Sequence, residues 1–189
     1  LNTTGSNNIG IGAGTLDANT TASNNTAVGH AAMTANTTGA NNVAVGANAL
    51  DANTTADANV GVGVDSLTAN STGASNTAVG TNALSANTTS SNNTAVGRDA
   101  LGANTTGQWN TAVGSKALDA NTDGQTNSAL GYGTLGSNTG GDDNVAIGHE
   151  AMAQNTTGNK NIGIGRGALN ANTTASENVA IGYLAMEDN

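Results

Sequence analysis

The sequence predicts an all-β protein, a parallel β-solenoid (β-roll), and three observations predict it. Asn stands at 8, 25, 42, 59, 76, 93, 110, 127, 144, 161 and 178, a step of 17 residues that never slips. Gly follows four residues after each of these, from Gly12 to Gly182, and a second Asn column runs Asn2, Asn19, Asn36 and onward to Asn189. Between them, apolar and small residues alternate with the strand period. Self-similarity at one fixed period is the sequence signature of a repeat architecture. Positions 1–189 therefore read as a single array of eleven coils, a fragment of a longer fibrous chain.

With the first Asn as position zero, each element of the coil has a reason. Position one is Thr, Ser, Val or Ile, position two is Ala or Gly, and position three is always Val, Ile or Leu (Ile11, Val28, Val45 and on to Ile181). β-Branched residues flanking a small one suit a short strand. Gly at position four, such as Gly29, Gly97 and Gly148, ends that strand. Position seven is Ala, Ser or Thr, and position eight is always Leu or Met, as at Leu16, Met33 and Leu50. Position ten is mostly Ala, and position eleven is the second Asn, as at Asn53 and Asn104. Thr or Ser at twelve, usually Thr at thirteen, and Gly, Ala or Ser at fourteen close the unit as a turn. Positions five, six, nine, fifteen and sixteen vary freely.

Stacking such coils at about 4.8 Å turns every column into a ladder of like residues. Asn25, Asn93, Asn144, Asn53 and Asn104 then form structural ladders with Gly29, Gly97, Gly148, Val28 and Leu50. The expected core is positions three and eight pointing inward, with position one helping. The Ala columns at two, seven and ten are expected to leave flat faces on which another chain can approach. A helical pair of two units is the competing fold, but each Gly costs a helix about 1 kcal/mol and no helix-length apolar stripe exists. So narrow a core, with no Cys, calls for association with sister chains. Eleven coils would span about 53 Å.

Composition removes several functions. The net charge is −9 with only four Lys and Arg, so phosphate-tracking nucleic-acid binding is not expected. No apolar run reaches membrane-spanning length, and no cofactor or metal set is visible. His30 and His149 both sit at position five, seven coils and about 34 Å apart. They read as solvent-facing rim residues. Asp17, Asp51, Asp119 and Glu187 share position nine but never on neighbouring coils. Asp142 and Asp143 leave a turn calcium site as a minor alternative to solvated carboxylates. Gly10-Ile11-Gly12 and Gly163-Ile164-Gly165 lack dinucleotide-loop spacing. Asn-Thr-Thr at Asn19, Asn36 and Asn104 reads as an Asn ladder in preference to a glycosylation sequon. Trp109 replaces a polar residue at position sixteen and is a candidate contact point.

The Asn-Val-Ala-Ile-Gly units at Asn144 to Gly148 and Asn178 to Gly182 resemble the head repeats of YadA-like trimeric autotransporter adhesins. The fuller unit at Asn93 to Gly107 resembles repeats of phage tail-fibre proteins and related bacterial surface proteins. YadA-like repeats are usually shorter than this one. The resemblance covers the whole chain and implies a left-handed roll, three chains side by side, and a role in attachment or as a fibre shaft. The expected protein is thus an extracellular structural segment and not an enzyme. Its partners would be sister chains, as a homotrimer or end-to-end homopolymer, and a cell-surface receptor or glycan. An ice-binding solenoid is the alternative, motivated by the Thr columns at twelve and thirteen.

Overall fold

The computed structural model describes residues 2–188. Asn189, the end of the second Asn column, lies outside the described residues. Eleven three-residue strands, from β1 (Ile9–Ile11) through β6 (Thr94–Val96) to β11 (Val179–Ile181), stack in sequence order into one parallel sheet. The register is that of the repeat: Thr77 pairs with Thr94, Ala78 with Ala95 and Val79 with Val96. The chain is a β-solenoid whose strands recur one per 17 residues. From first strand to last the sheet runs ten steps, about 48 Å.

Hydrogen bonding between coils continues well beyond the strands. In a central coil the Thr94 amide donates to the Asn110 carbonyl at 2.8 Å, Leu101 to Ala117 at 3.0 Å, and Thr105 to Thr122 at 3.0 Å. In the opposite direction Gly97 donates to Val79 at 2.8 Å and Asp99 to Thr81 at 3.0 Å. Each coil therefore satisfies its backbone mostly through its two neighbours, as buried N–H and C=O groups require.

A 17-residue circuit this tight needs sharp corners. Gly97 turns the chain after β6 with φ +137. A Cβ there would lie 2.6 Å from the carbonyl carbon and oxygen of Gly114 on the next coil, so only Gly fits. Three further corners per coil use the left-handed region, mostly with residues other than Gly. Position sixteen (Asn92, φ 63), position six (Asp99, φ 58) and position eight (Leu101, φ 51) are examples. Asn and Asp visit this region readily; for Leu it costs on the order of 1–2 kcal/mol. The Leu is held there by packing and by both of its backbone groups: its amide bonds Ala117 and its carbonyl accepts from Asn104 at 3.1 Å.

The core differs from the expected one. Position eight is inward as expected: Met33, Leu50, Leu67, Leu84, Leu101, Leu118, Leu135, Met152 and Leu169 are fully buried. Positions three and one are not. Val28 and its column point outward, with Val45 37%, Leu130 49% and Ile147 38% exposed. The strand residue that faces inward is the small one at position two, as Ala27, Ala95 and Ala112 at 0% exposure. The physical reason is room. Opposite the strand lies the Leu or Met of position eight: a Cβ on Gly61 would meet Leu50 Cδ1 at 3.4 Å, and one on Gly163 would meet Met152 Cγ at 2.7 Å. The interior accepts Ala there and nothing larger. The Ala columns at two and seven are accordingly core, not the flat faces expected of them, while position ten is half-buried. Each fully buried Leu contributes about 1.5–3 kcal/mol.

Candidate functional site

Two Asn ladders run through the interior, and they explain why neither column varies. At position zero, each Asn side chain ties its own coil to the next. Asn93 Oδ1 accepts from the Asn110 amide at 2.9 Å, and Asn93 Nδ2 donates to the Gly107 carbonyl at 2.9 Å. The same pair of bonds recurs at Asn25 and at Asn144. At position eleven the amides chain to one another: Asn53 Nδ2 donates to Asn36 Oδ1 at 2.8 Å, Asn121 Nδ2 to Asn104 Oδ1 at 2.8 Å. Each also donates to a carbonyl three residues on, as Asn104 does to Gly107 at 3.0 Å. Buried amides with their groups partnered stabilise a unique register, and a single unpartnered one is costly. Asn19, Asn36 and Asn104 are 1%, 0% and 0% exposed. Their amides belong to this ladder, and a glycan on any of them would break it.

His30 and His149 are both exposed at position five, on coils far apart. Asp142 Oδ1 accepts from the Gln125 amide at 2.7 Å. It is a ladder acceptor at position fifteen, a role shared by Asp57 toward Ala40 and by Ser91 toward Ala74. That column, read as freely variable, in fact favours side chains that accept. Among the described residues no three metal-ligating side chains converge and no pocket forms. No helix is long and apolar enough to cross a membrane. Trp109 is 55% exposed with φ 57, at a left-handed corner that Asn7, Asn24, Asn41 and Asn92 hold on other coils. Burial pushes the Asp119 carboxyl above its ordinary value; Lys116 opposes the shift and Asp99 adds to it.

What remains as a candidate for function is the outside. The sheet presents two outward ranks, positions one and three, on all eleven strands: Thr94 and Val96, Thr111 and Val113, Val145 and Ile147, and so on. They form a strip about 48 Å long whose residues are Val, Ile, Leu, Thr and one Ser. No charged residue occurs in it. The Thr hydroxyls of position twelve are committed elsewhere, as Thr105 Oγ1 donates to the Thr122 carbonyl at 3.0 Å and Thr122 Oγ1 to the Thr139 carbonyl at 3.0 Å.

Comparison with protein-family models, curated proteins and solved structures finds no match to this chain. The fold defines it as a β-solenoid repeat protein.

Proposed function

We propose that this chain is a structural segment of an extracellular fibre, of the kind found in phage tail fibres and bacterial surface adhesins, in which three chains associate through the outward strip. The observation that carries the reading is the strip itself: an uncharged Val/Ile/Thr face running the length of the sheet on a protein of net charge −9. Extended apolar faces of this kind mark association surfaces. Association would also supplement a core only one Leu and two Ala wide, which is thin for a free-standing protein. No single residue performs the function; the ladders make the rod stiff and the strip brings rods together.

The triple variant Val79→Lys, Val96→Lys, Val113→Lys tests this. These side chains point outward, so the single chain keeps its β signal in circular dichroism while its solution mass falls to that of one chain. An unchanged mass with all three lysines in place rejects the strip as the association face.

Ice binding is the second reading, and one observation favours it. Positions one and three give two ranks in register on one flat face, with Thr26, Thr77, Thr94 and Thr111 among them. The Thr columns at twelve and thirteen motivate it from sequence, but position-twelve hydroxyls are already bonded within the coil stack. Thermal hysteresis by a monomer, lost in the lysine variant, would support this reading; none at millimolar protein rejects it.

A further inference from the structure

Column five, the corner just beyond the strand, collects an unusual set of side chains. Down the eleven coils it reads Ala13, His30, Ala47, Val64, Thr81, Arg98, Ser115, Tyr132, His149, Arg166 and Tyr183. Both Arg, both His and both Tyr of the chain stand in it. None of the thirteen Asp and Glu does. In a protein of net charge −9, one edge of the rod thus gathers these groups and holds no carboxylate.

The last four members are on consecutive coils and all are exposed. Tyr132 and His149 stack with ring centroids 5.2 Å apart and planes 25° from parallel. Arg166 and Tyr183 continue the row, making a ridge about 14 Å long. Local carboxylates single out its charged centre. Arg98 is paired to Asp99 at 2.9 Å, and His149 Nδ1 lies 3.5 Å from Glu150. Arg166 has no such partner among the described residues, and its sequence neighbours are Gly165 and Gly167.

We infer that the Tyr132–His149–Arg166–Tyr183 ridge binds an acidic polysaccharide lying along the rod. A guanidinium without an intrachain carboxylate is matched by a carboxylate or sulfate, which it grips through two parallel hydrogen bonds. Tyr hydroxyls and the imidazole donate to and accept from sugar hydroxyls, and their ring bodies cover apolar sugar faces. A straight edge of evenly spaced groups suits an extended polymer better than a compact ligand. The inference rests on the reading of the rod as an attachment fibre, but not on how many chains associate.

The test is biolayer interferometry on immobilised alginate (carboxylated), dextran sulfate (sulfated) and neutral dextran, using the full 189-residue chain. Binding is expected to at least one acidic polymer and not to dextran; the two acidic arms separate carboxylate from sulfate recognition. Arg166→Ala and the Tyr132→Ala/Tyr183→Ala pair should each weaken binding about tenfold. Lys160→Ala removes the same charge away from the column and should leave binding within about twofold. No binding to either acidic polymer, equal binding to dextran, or a Lys160→Ala loss as large as that of Arg166→Ala overturns the inference. Circular dichroism and solution mass of each variant separate the outcomes. A three-chain mass without binding removes only the ridge, and binding by a single-chain species removes only the trimer.

Discussion

Asn93 and Asn110, equivalent residues on adjacent coils, are joined by a hydrogen bond in which the Asn110 backbone amide donates to Asn93 Oδ1 at 2.9 Å. Because Asn93 Nδ2 also holds the Gly107 carbonyl, one side chain ties together two segments of the following chain. Replacing Asn93 by Ala orphans the buried Asn110 amide and takes one of two donors from the Gly107 carbonyl, which Asn104 Nδ2 still holds. The expected loss is about 1–3 kcal/mol for the orphaned amide. Asn93→Asp keeps the acceptor but turns an oxygen toward Gly107 and buries a charge, so it should destabilise more at neutral pH. Denaturant unfolding checks the order; an Asp variant as stable as wild type contradicts the ladder.

Gly97→Ala should be among the most damaging small substitutions. Its φ of +137 is unsuited to a side chain, and the added Cβ would press on Gly114. Several kcal/mol of strain, on the scale of about 1–3 for the backbone alone, is expected. Thermal melting of Gly97→Ala beside Gly102→Ala reads it. Gly102 lies outside the left-handed region, where a Cβ would come 3.3 Å from the Asp99 carbonyl oxygen, and its variant should melt closer to wild type.

Trp109→Asn should stabilise. Asn is at home at this left-handed corner, and Asn residues on adjacent coils bond along the column, as Asn24 Nδ2 does to Asn41 Oδ1 at 3.2 Å. A gain of about 0.5–1 kcal/mol is expected from backbone preference. A melting temperature lowered by this substitution would give Trp109 a packing role that its exposure does not suggest.

Asp119 provides a pH signature. Its folded carboxyl is raised mainly by burial, so it binds protons more tightly in the folded than in the unfolded chain. Its contribution is favourable below the unfolded value and is lost as pH rises through the folded one. At neutral pH the charged form is a burden, partly relieved by Lys116. Asp119→Asn should therefore raise the melting temperature at pH 7 and lose that advantage below the ordinary aspartate range. A variant that gains equally at all pH values contradicts the assignment.

The period, the strand sites, the Gly corners and both Asn ladders are legible from sequence, because each demands one residue type at one spacing. The facing of the strand is not. Val-Ala-Val alternation invites the rule that the bulky residues go inside, yet in β6 the flanking Thr94 and Val96 face outward and the inward residue is Ala95. The signal that could have settled it is an upper limit on size: position two never exceeds Ala on any coil, which marks the crowded side. The Tyr132–His149 stack escapes a linear reading for a different reason. Residue types scattered at wide sequence intervals become neighbours only when the column is read down the stack. Position fifteen looks free because Ser, Asp and Asn are chemically diverse, though each accepts the equivalent amide of the preceding coil.

Association of three chains through the outward strip is read from the solution mass of the unmodified chain, by light scattering after gel filtration. The expected species has the mass of three 18.2 kDa chains. A single 18.2 kDa species at all protein concentrations would contradict it.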